Sequence, residues 1–201
     1  MTAFFIISSQ ILSYFAFYFI RRVWYRAEFV LPENFGETKK GILLVANHQS
    51  KSDPFIVLSY IPFSVFLRVL PIRFPVTHKY MGKAYLPYIL KILGCYDIGE
   101  TSRENMIGFL HTRRLLKEGK TVFLFPEGKI SKNGNKIANL KRGIEFFTKE
   151  SKSVIFVRIK GFNKKWQIFS AKGRSVTFGP AQNLNNKNVS AKDVKMTLNQ
   201  L

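Results

Sequence analysis

Short apolar runs separated by polar and turn residues recur along this chain and predict strands that alternate with helices. Residues 41–46 and 121–125 are nearly continuous apolar runs followed by Asn47 or Pro126, a pattern typical of strands buried on both faces. The same pattern predicts four further strands, at residues 63–69, 95–98, 154–159 and 176–178.

Helical patterns occupy the stretches between these runs. Asp53 followed by Pro54 predicts a helix start, with Asp53 as the N-cap and Pro54 in the first helical position. Ser102 is the expected N-cap of a helix over residues 104–117, which Gly119 ends. Further helices are expected over residues 78–93 (broken near Gly82 and Pro87), over residues 141–149 and from residue 191 onward. This alternation predicts an α/β domain with a mostly parallel sheet and flanking helices.

The N-terminal stretch is the longest uncharged apolar segment. Residues 3–20 contain five Phe and no charge, and Arg21, Arg22 and Arg26 follow. A helix of this length is about 27 Å long, close to a bilayer core of about 30 Å, so it either spans a membrane or lies in its interface. An ordinary buried helix is the alternative. We expect a membrane-anchoring helix and linker over residues 1–35 and a second domain over residues 36–201.

The flanking residues also indicate orientation. No basic segment precedes residues 3–20 and no small-residue cleavage site follows them, which argues against a secretory signal. The arginines that follow are expected to stay on the cytoplasmic side of the cell membrane, together with the rest of the chain.

Charge indicates an anionic partner. The formal net charge is +20, and residues 129–174 hold thirteen Lys or Arg but only Glu145 and Glu150 as acids. Such a surface attracts anionic lipids, an acidic carrier protein or the phosphates of coenzyme A. No zinc-finger, helix-turn-helix or RNA-binding pattern accompanies the charge, so no nucleic-acid partner is expected. The single cysteine, Cys95, excludes a disulfide framework.

The candidate chemistry begins at His48 and Asp53. His48 follows the first predicted strand and Asp53 starts the next helix, so the turn between them can fold the two side chains together. A carboxylate on one ring nitrogen fixes the histidine tautomer and frees the other nitrogen to take a proton. No Gly-x-Ser-x-Gly elbow is present, and Cys95 lies in an apolar segment. A base without a protein nucleophile favours direct attack by a hydroxyl group of the substrate.

A second run, Phe125-Pro126-Glu127-Gly128, ends another predicted strand. Pro126 cannot continue a central ladder, and Gly128 lets the backbone approach a ligand. Glu127 is thus expected at a tight turn, where a carboxylate among cations can orient a polyol or phosphate head group. A plain turn with a solvated Glu127 is the alternative.

At these residues the chain resembles the glycerolipid acyltransferase family, which contains the lysophosphatidic acid acyltransferases. The first family block, Asn-His-x4-Asp, matches Asn47, His48 and Asp53, and the third block matches Phe125, Pro126, Glu127 and Gly128. A Lys-Arg-Gly stretch at residues 141–143 and an apolar block at residues 154–157 resemble later family features. The second block departs from the family, because Glu100 stands where an Arg is usual and the nearest arginine is Arg103.

The resemblance implies an O-acyltransferase of the 1-acylglycerol-3-phosphate type, which acts in phospholipid biosynthesis. His48 would be the general base and Asp53 its orienting partner, and backbone donors would stabilise the oxyanion. Glu127 and Gly128 would bind the acceptor head group, and its phosphate would contact Arg103, Lys129 or Lys141. The acyl donor would be a thioester of acyl carrier protein or coenzyme A, and no bound cofactor or metal is implied.

The acceptor stays open at this point. Lysophosphatidic acid, which would give phosphatidic acid, is favoured. Glycerol 3-phosphate, another lysophospholipid and a lyso-aminolipid remain alternatives, because Glu100 replaces the usual Arg. A non-catalytic basic module that binds lipid or nucleic acid is the remaining class.

Overall fold

The computed structural model of the chain describes residues 2–24, 26–32, 35, 41–82, 85–131, 137–162, 173–184 and 187–201. The helices are α1 (Ala3–Val23), α2 (Asp53–Tyr60), α3 (Phe63–Val69), α4 (His78–Met81), α5 (Leu86–Ile92), α6 (Ser102–Lys117), α7 (Gly143–Glu150) and α8 (Ala191–Gln200). The strands are β1 (Glu28–Val30), β2 (Ile42–Ala46), β3 (Ile72–Val76), β4 (Cys95–Asp97), β5 (Thr121–Leu124), β6 (Ser153–Lys160) and β7 (Ser175–Phe178).

The strands form one seven-stranded sheet in the order β1-β7-β6-β2-β5-β3-β4. Every strand pair is parallel except β6 with β7. The central strands β2, β5 and β6 are buried along nearly their whole length, as their apolar runs predicted. The short strand β1, which falls in the segment expected to be a linker, pairs with β7 at one edge.

Helices cover both faces of the sheet. On one face, buried residues of α1, α2 and α3 pack against Leu44, Phe123 and Ile155. On the other face, buried residues of α6, α7 and α8 pack against Leu43 and Val122. The chain is therefore a three-layer α/β structure, and the polar ends of its parallel strands converge at one edge, where open sheets bind ligands.

Helix α1 is fastened along one side to this domain. The Gln10 side chain donates to the carbonyl of Ile72 at 2.6 Å and accepts its N–H at 3.0 Å. The Tyr14 hydroxyl donates to the carbonyl of Ile61 at 2.9 Å, and the Arg21 guanidinium lies 4.4 Å from the Tyr60 ring centroid. In length and composition α1 could cross a membrane. However, the side of the helix that carries Ile6, Gln10 and Tyr14 is buried against the rest of the structure.

The predicted strand at residues 63–69 is wrong, because this segment is helix α3. The Phe66 N–H donates to the Pro62 carbonyl at 2.9 Å and closes the first turn. Val65, Phe66 and Val69 are buried at helical spacing, whereas the residues between them are exposed. An apolar run too short to show its period cannot distinguish a strand from a half-buried helix.

The strand of this region is β3, which the sequence pattern did not predict because Pro71 and Pro75 interrupt it. Ile72 and Arg73 pair with β5, whereas residues 74–76 pair with β4 only. The sheet tolerates Pro75 because β5 does not pair with β3 at this position and needs no N–H there. The predicted helix over residues 78–93 consists of α4 and α5, and residues 83–84 between them lie outside the described residues.

Two predicted helix caps are each wrong by one residue. Ser52, not Asp53, is the N-cap of α2, and Asp53 is the first helical residue. Thr101, not Ser102, is the N-cap of α6, where its side chain accepts the N–H of Glu104 in a capping box. The shift at Asp53 matters chemically, because its carboxylate is turned toward the preceding loop.

Candidate active site

His48 and Asp53 meet in the loop between β2 and α2. His48 Nδ1 lies 3.0 Å from Asp53 Oδ2. Because a carboxylate only accepts, Nδ1 carries the proton, and Nε2 is left as the nitrogen that can take up another. The loop places the carboxylate behind the ring: the Asp53 side chain is fully buried, whereas 19% of the His48 side chain is exposed.

Backbone donors hold the Asp53 carboxylate in this position. Oδ2 also accepts the N–H of Gln49 at 2.6 Å and that of Ser50 at 2.7 Å. The Ser50 hydroxyl donates to Oδ1. These bonds compensate the burial of the carboxylate and fix its direction toward the imidazole.

The loop is also bonded to distant strand residues. The Asn47 side chain donates to the carbonyl of Ile159 at 2.9 Å and accepts its N–H at 2.7 Å. Gln49 Oε1 accepts the N–H of Phe162 at 2.8 Å. Asn47 and Gln49 are both buried, so the segment that carries His48 is bonded on one side of the histidine to β6 and on the other side to Phe162, just after β6.

Glu127 is a buried partner of the same loop. Its Oε1 accepts the His48 N–H at 2.9 Å, and its Oε2 accepts the Ala138 N–H at 2.8 Å. The Ser131 N–H donates to the His48 carbonyl at 2.8 Å, so Glu127 and Ser131 together hold the histidine backbone at two points. Arg158 is buried within electrostatic reach of Glu127: burial lowers the pKa of Arg158, and the glutamate opposes that shift.

Phe125 and Gly128 shape the surface next to the imidazole. The Phe125 ring stacks on His48 with a centroid distance of 4.1 Å and an interplanar angle of 19°. Gly128 has a φ of +66°, and a Cβ there would lie 2.6 Å from Lys141 Cε. The absence of a side chain at position 128 therefore lets Lys141 cross over the turn.

An open cavity of about 820 Å³ lies beside His48 at this edge of the sheet. It is bounded by the ends of β3 and β5 and by residues of α2, α4, α5, α6 and α7. Most of its lining is apolar, including Phe74, Leu86, Leu90, Phe109, Phe123 and Phe147. Its volume is within the range of about 300–1,000 Å³ that is typical of ligand pockets, and its apolar wall suits an acyl chain.

Within the part of the chain that the structure describes, the charged side chains that line the cavity beside His48 are lysines. Lys51, Lys79, Lys129 and Lys141 line it, whereas Arg103 is exposed on the first turn of α6 and does not. Lys129 and Lys141 were predicted from the sequence, whereas Lys51 and Lys79 were not. Lys51 lies inside the first motif, and Lys79 would have been found if the strand before it, β3, had been predicted.

Of the sequence-predicted residues, the structure brings His48, Phe125, Pro126, Gly128, Lys129 and Lys141 to the cavity wall. Asn47, Asp53 and Glu127 are buried behind that wall. Cys95 also lines the cavity, and burial raises the pKa of its thiol to about 12. This thiol stays protonated at neutral pH and is not an activated nucleophile.

A second histidine–aspartate pair lies outside the cavity lining. His78 Nδ1 is 2.6 Å from Asp97 Oδ2, and Asp97 Oδ1 accepts the Gly99 N–H at 2.7 Å. Both side chains are substantially exposed, and the hydrogen bond to Asp97 raises the pKa of His78. The pair connects the start of α4, next to Lys79, with the end of β4.

The fold of this chain is similar to that of a protein of known structure. A 1-acyl-sn-glycerophosphate (LPA) acyltransferase from Thermotoga maritima, PlsC, has a crystal structure that matches with a TM-score of 0.66 and 17% identity, covering 95% of this chain and 75% of that chain. The expected fold, a mostly parallel α/β sheet with flanking helices, is thereby confirmed.

The sequence is also similar to a known protein and to a family model. A probable 1-acyl-sn-glycerol-3-phosphate acyltransferase of Mycoplasma pneumoniae is 31% identical over 100 residues, which cover 49% of this chain. The matched part spans only 36% of that protein's length. A family model described as Acyltransferase matches residues 26–158, and by this match over most of its length the chain belongs to the acyltransferase family.

Proposed function

We propose that this protein is a membrane-bound O-acyltransferase that moves a fatty acyl group from an acyl thioester to a lysophosphatidic acid-like acceptor, giving phosphatidic acid. The observation that carries the proposal is the His48–Asp53 pair, with its 3.0 Å contact, on the wall of a largely apolar cavity. The pair supplies a base, and the cavity supplies room for lipid chains.

The chemistry requires one proton transfer in each direction. His48 Nε2 removes the proton from the acceptor hydroxyl as its oxygen attacks the thioester carbonyl. The carbon–sulfur bond then breaks, and the imidazolium returns the proton to the departing thiolate. Asp53, which stays hydrogen-bonded to Nδ1, stabilises the imidazolium between these steps.

Direct transfer is favoured over an acyl-enzyme intermediate. The Ser50 hydroxyl donates to Asp53 rather than to His48, and the raised pKa of the Cys95 thiol keeps it protonated. Neither group is paired with a base as a nucleophile requires. The substrate hydroxyl is therefore the attacking group.

A phosphate-bearing acceptor fits the four lysines that line the cavity among the described residues. Lys129 and Lys141 are next to the turn at Gly128. Lys51 lies in the loop before α2, and Lys79 lies in α4. Ammonium groups bind phosphate as point charges and need no bidentate geometry. This lysine set offsets the missing arginine at position 100 and makes Arg103 dispensable.

Glu127 is assigned to positioning rather than to head-group binding. Both of its carboxylate oxygens accept backbone N–H groups, from His48 and from Ala138. A carboxylate so engaged fixes the loop of the base and leaves the lysines to contact the acceptor.

The donor is an acyl thioester of acyl carrier protein or coenzyme A. Both carriers are anionic, in keeping with the net charge of +20. Helix α1 associates with the cytoplasmic face of the cell membrane. Because Gln10 and Tyr14 bind the domain side-on, α1 lies along one leaflet instead of crossing the bilayer.

The test is acyl transfer in membranes that contain wild-type protein or single variants. Labelled acyl carrier protein and acyl coenzyme A are each offered with lysophosphatidic acid. We expect His48→Ala and Asp53→Asn to lower kcat by about 10²–10⁴-fold without loss of membrane binding. His111→Ala, a histidine of α6 that packs on Tyr96, is the matched control and retains wild-type turnover.

The outcomes separate the alternatives. Wild-type transfer only to a neutral or amine-bearing lysolipid would replace the acceptor. Full turnover by His48→Ala would refute the mechanism, and failure of the folded wild type with every lysolipid would leave a non-catalytic lipid-binding module.

A further inference from the structure

Helix α5 has two apolar sides with different neighbours. Leu86 and Leu90, one turn apart, line the cavity. The other side carries Tyr88, Ile89 and Ile92, which are 71%, 55% and 41% exposed. A helix of seven residues that exposes three large apolar side chains is thus the partition between the cavity and the outside.

This outer side is continuous with α1. The Ser9 hydroxyl donates to the carbonyl of Ile92 at 2.7 Å, and Gln10 Nε2 donates to that of Leu93 at 2.9 Å. On the side of α1 away from the domain, Phe4, Leu12, Phe15 and Phe19 are exposed. The two helices therefore form one apolar surface, whereas the exposed apolar residues of a soluble protein are usually scattered singly.

The charges around this surface are of one sign. No Asp or Glu occurs between Asp53 and Asp97, although five Lys or Arg do, and no acid precedes Glu28. Lys91 is exposed on α5 itself, and Arg22 is exposed at the end of α1. Apolar side chains bordered by cations match an anionic lipid leaflet, which attracts basic groups next to the inserted residues.

We infer that the outer side of α5 inserts into the membrane surface beside α1, and that the acceptor lipid passes from the bilayer around α5 into the cavity without crossing water. The inference rests on the proposed function for its substrate but not for the docking itself. Lipid is the occupant because α5 is hydrogen-bonded to α1, which has the length and composition of a membrane-spanning helix. The outer side of α5 therefore continues an apolar surface already suited to a bilayer.

The docking is tested by binding of the full chain to vesicles of phosphatidylcholine and phosphatidylglycerol. Ile89→Glu places a charge on the outer side of α5 and removes buried apolar area, so we expect about tenfold weaker binding. Met196→Glu, at a similarly exposed apolar position on α8, is the matched control and binds like wild type. Equal binding by Ile89→Glu and wild type, or equal losses in both variants, would overturn the docking.

A second measurement reports insertion directly. The fluorescence added by Ile89→Trp should be quenched by lipids brominated in their acyl chains, and the fluorescence added by Met196→Trp should not. Quenching that is the same at both positions would also overturn the docking, even where the glutamate variant binds weakly for another reason.

Lipid entry is tested by turnover with two acceptors, a long-chain lysolipid in vesicles and a short-chain, water-soluble analogue. Ile89→Glu should lose most activity on the vesicle acceptor and keep wild-type activity on the soluble one. Equal losses on both acceptors would overturn lateral entry. If wild type transfers acyl groups to neither, the proposed function fails, while the binding and quenching results still decide the docking.

Discussion

The backbone N–H of His48 donates to Glu127 Oε1 at 2.9 Å, although the two residues are 79 positions apart. The two motifs of the chain are thus one structural unit, in which the second motif holds the peptide that carries the base. The other carboxylate oxygen of Glu127 accepts the Ala138 N–H. Through these two contacts Glu127 holds the loop of His48 in place, which a residue on the cavity wall would not do.

Replacing Glu127 with Gln should damage turnover more than acceptor binding. The Gln amide NH2 would face one of the two backbone N–H donors, and a buried donor without an acceptor costs about 1–3 kcal/mol. We expect a lower free energy of unfolding by urea denaturation and a lower kcat with little change in KM. A raised KM at normal kcat would instead assign Glu127 to the acceptor head group.

A methyl group at Gly128 should weaken acceptor binding through Lys141. Gly128→Ala both strains a backbone at φ +66° and puts a Cβ 2.6 Å from Lys141 Cε. Because the flexible lysine can move aside, the main effect should be a raised acceptor KM. Lys141→Met should raise KM similarly, and the double variant should add little. Additive effects of the two substitutions would separate Gly128 from the lysine.

The His78–Asp97 pair should titrate visibly. Its hydrogen bond and charge raise the pKa of His78 above the ordinary 6.5, and Glu100 and Glu104 act in the same direction. The stabilisation from the pair is therefore fully present below pH 6.5 and is lost as the pH rises through the raised pKa of the folded protein. NMR titration of the His78 ring in wild type and Asp97→Asn measures it. An unchanged pKa in the variant would contradict the assignment.

Cys95 should resist alkylation in the folded protein. Burial raises the pKa of its thiol to about 12, so little thiolate exists in mildly alkaline buffer. Mass spectrometry after iodoacetamide treatment should find Cys95 unmodified until urea unfolds the chain. Cys95→Ala should retain acyl transfer, and loss of transfer in a stably folded variant would implicate the thiol in catalysis.

The most buried part of the fold was predictable, because β2, β5 and the first half of β6 are nearly continuous apolar runs, as expected of strands buried on both faces. Half-buried elements were harder. Helix α3 shows only one inward stripe across seven residues, and β3 contains Pro75 at a place where the sheet does not need its N–H. In both cases tertiary packing decides the structure, and local sequence does not contain that information.

The site was predictable to the extent that its residues are adjacent in sequence. His48 and Asp53 share one loop, and the turn at Gly128 follows its strand directly. Lys79 joins the cavity through β3, and Glu127 turns inward because two distant backbone donors meet its carboxylate. Such placements depend on strand order, which short motifs do not encode.

The bonds from Asn47 to Ile159 and from Gln49 to Phe162 join residues 112 and 113 positions apart. A ribosome therefore releases the histidine loop long before it releases the strand that immobilises it. Until β6 emerges and pairs with β2, the histidine loop of the nascent chain lacks the long-range bonds that hold Asn47 and Gln49 in place. Synthesis interrupted before Ile159 would leave this loop without its strand partner, so the proposed base reaches its final position only once the sheet is assembled.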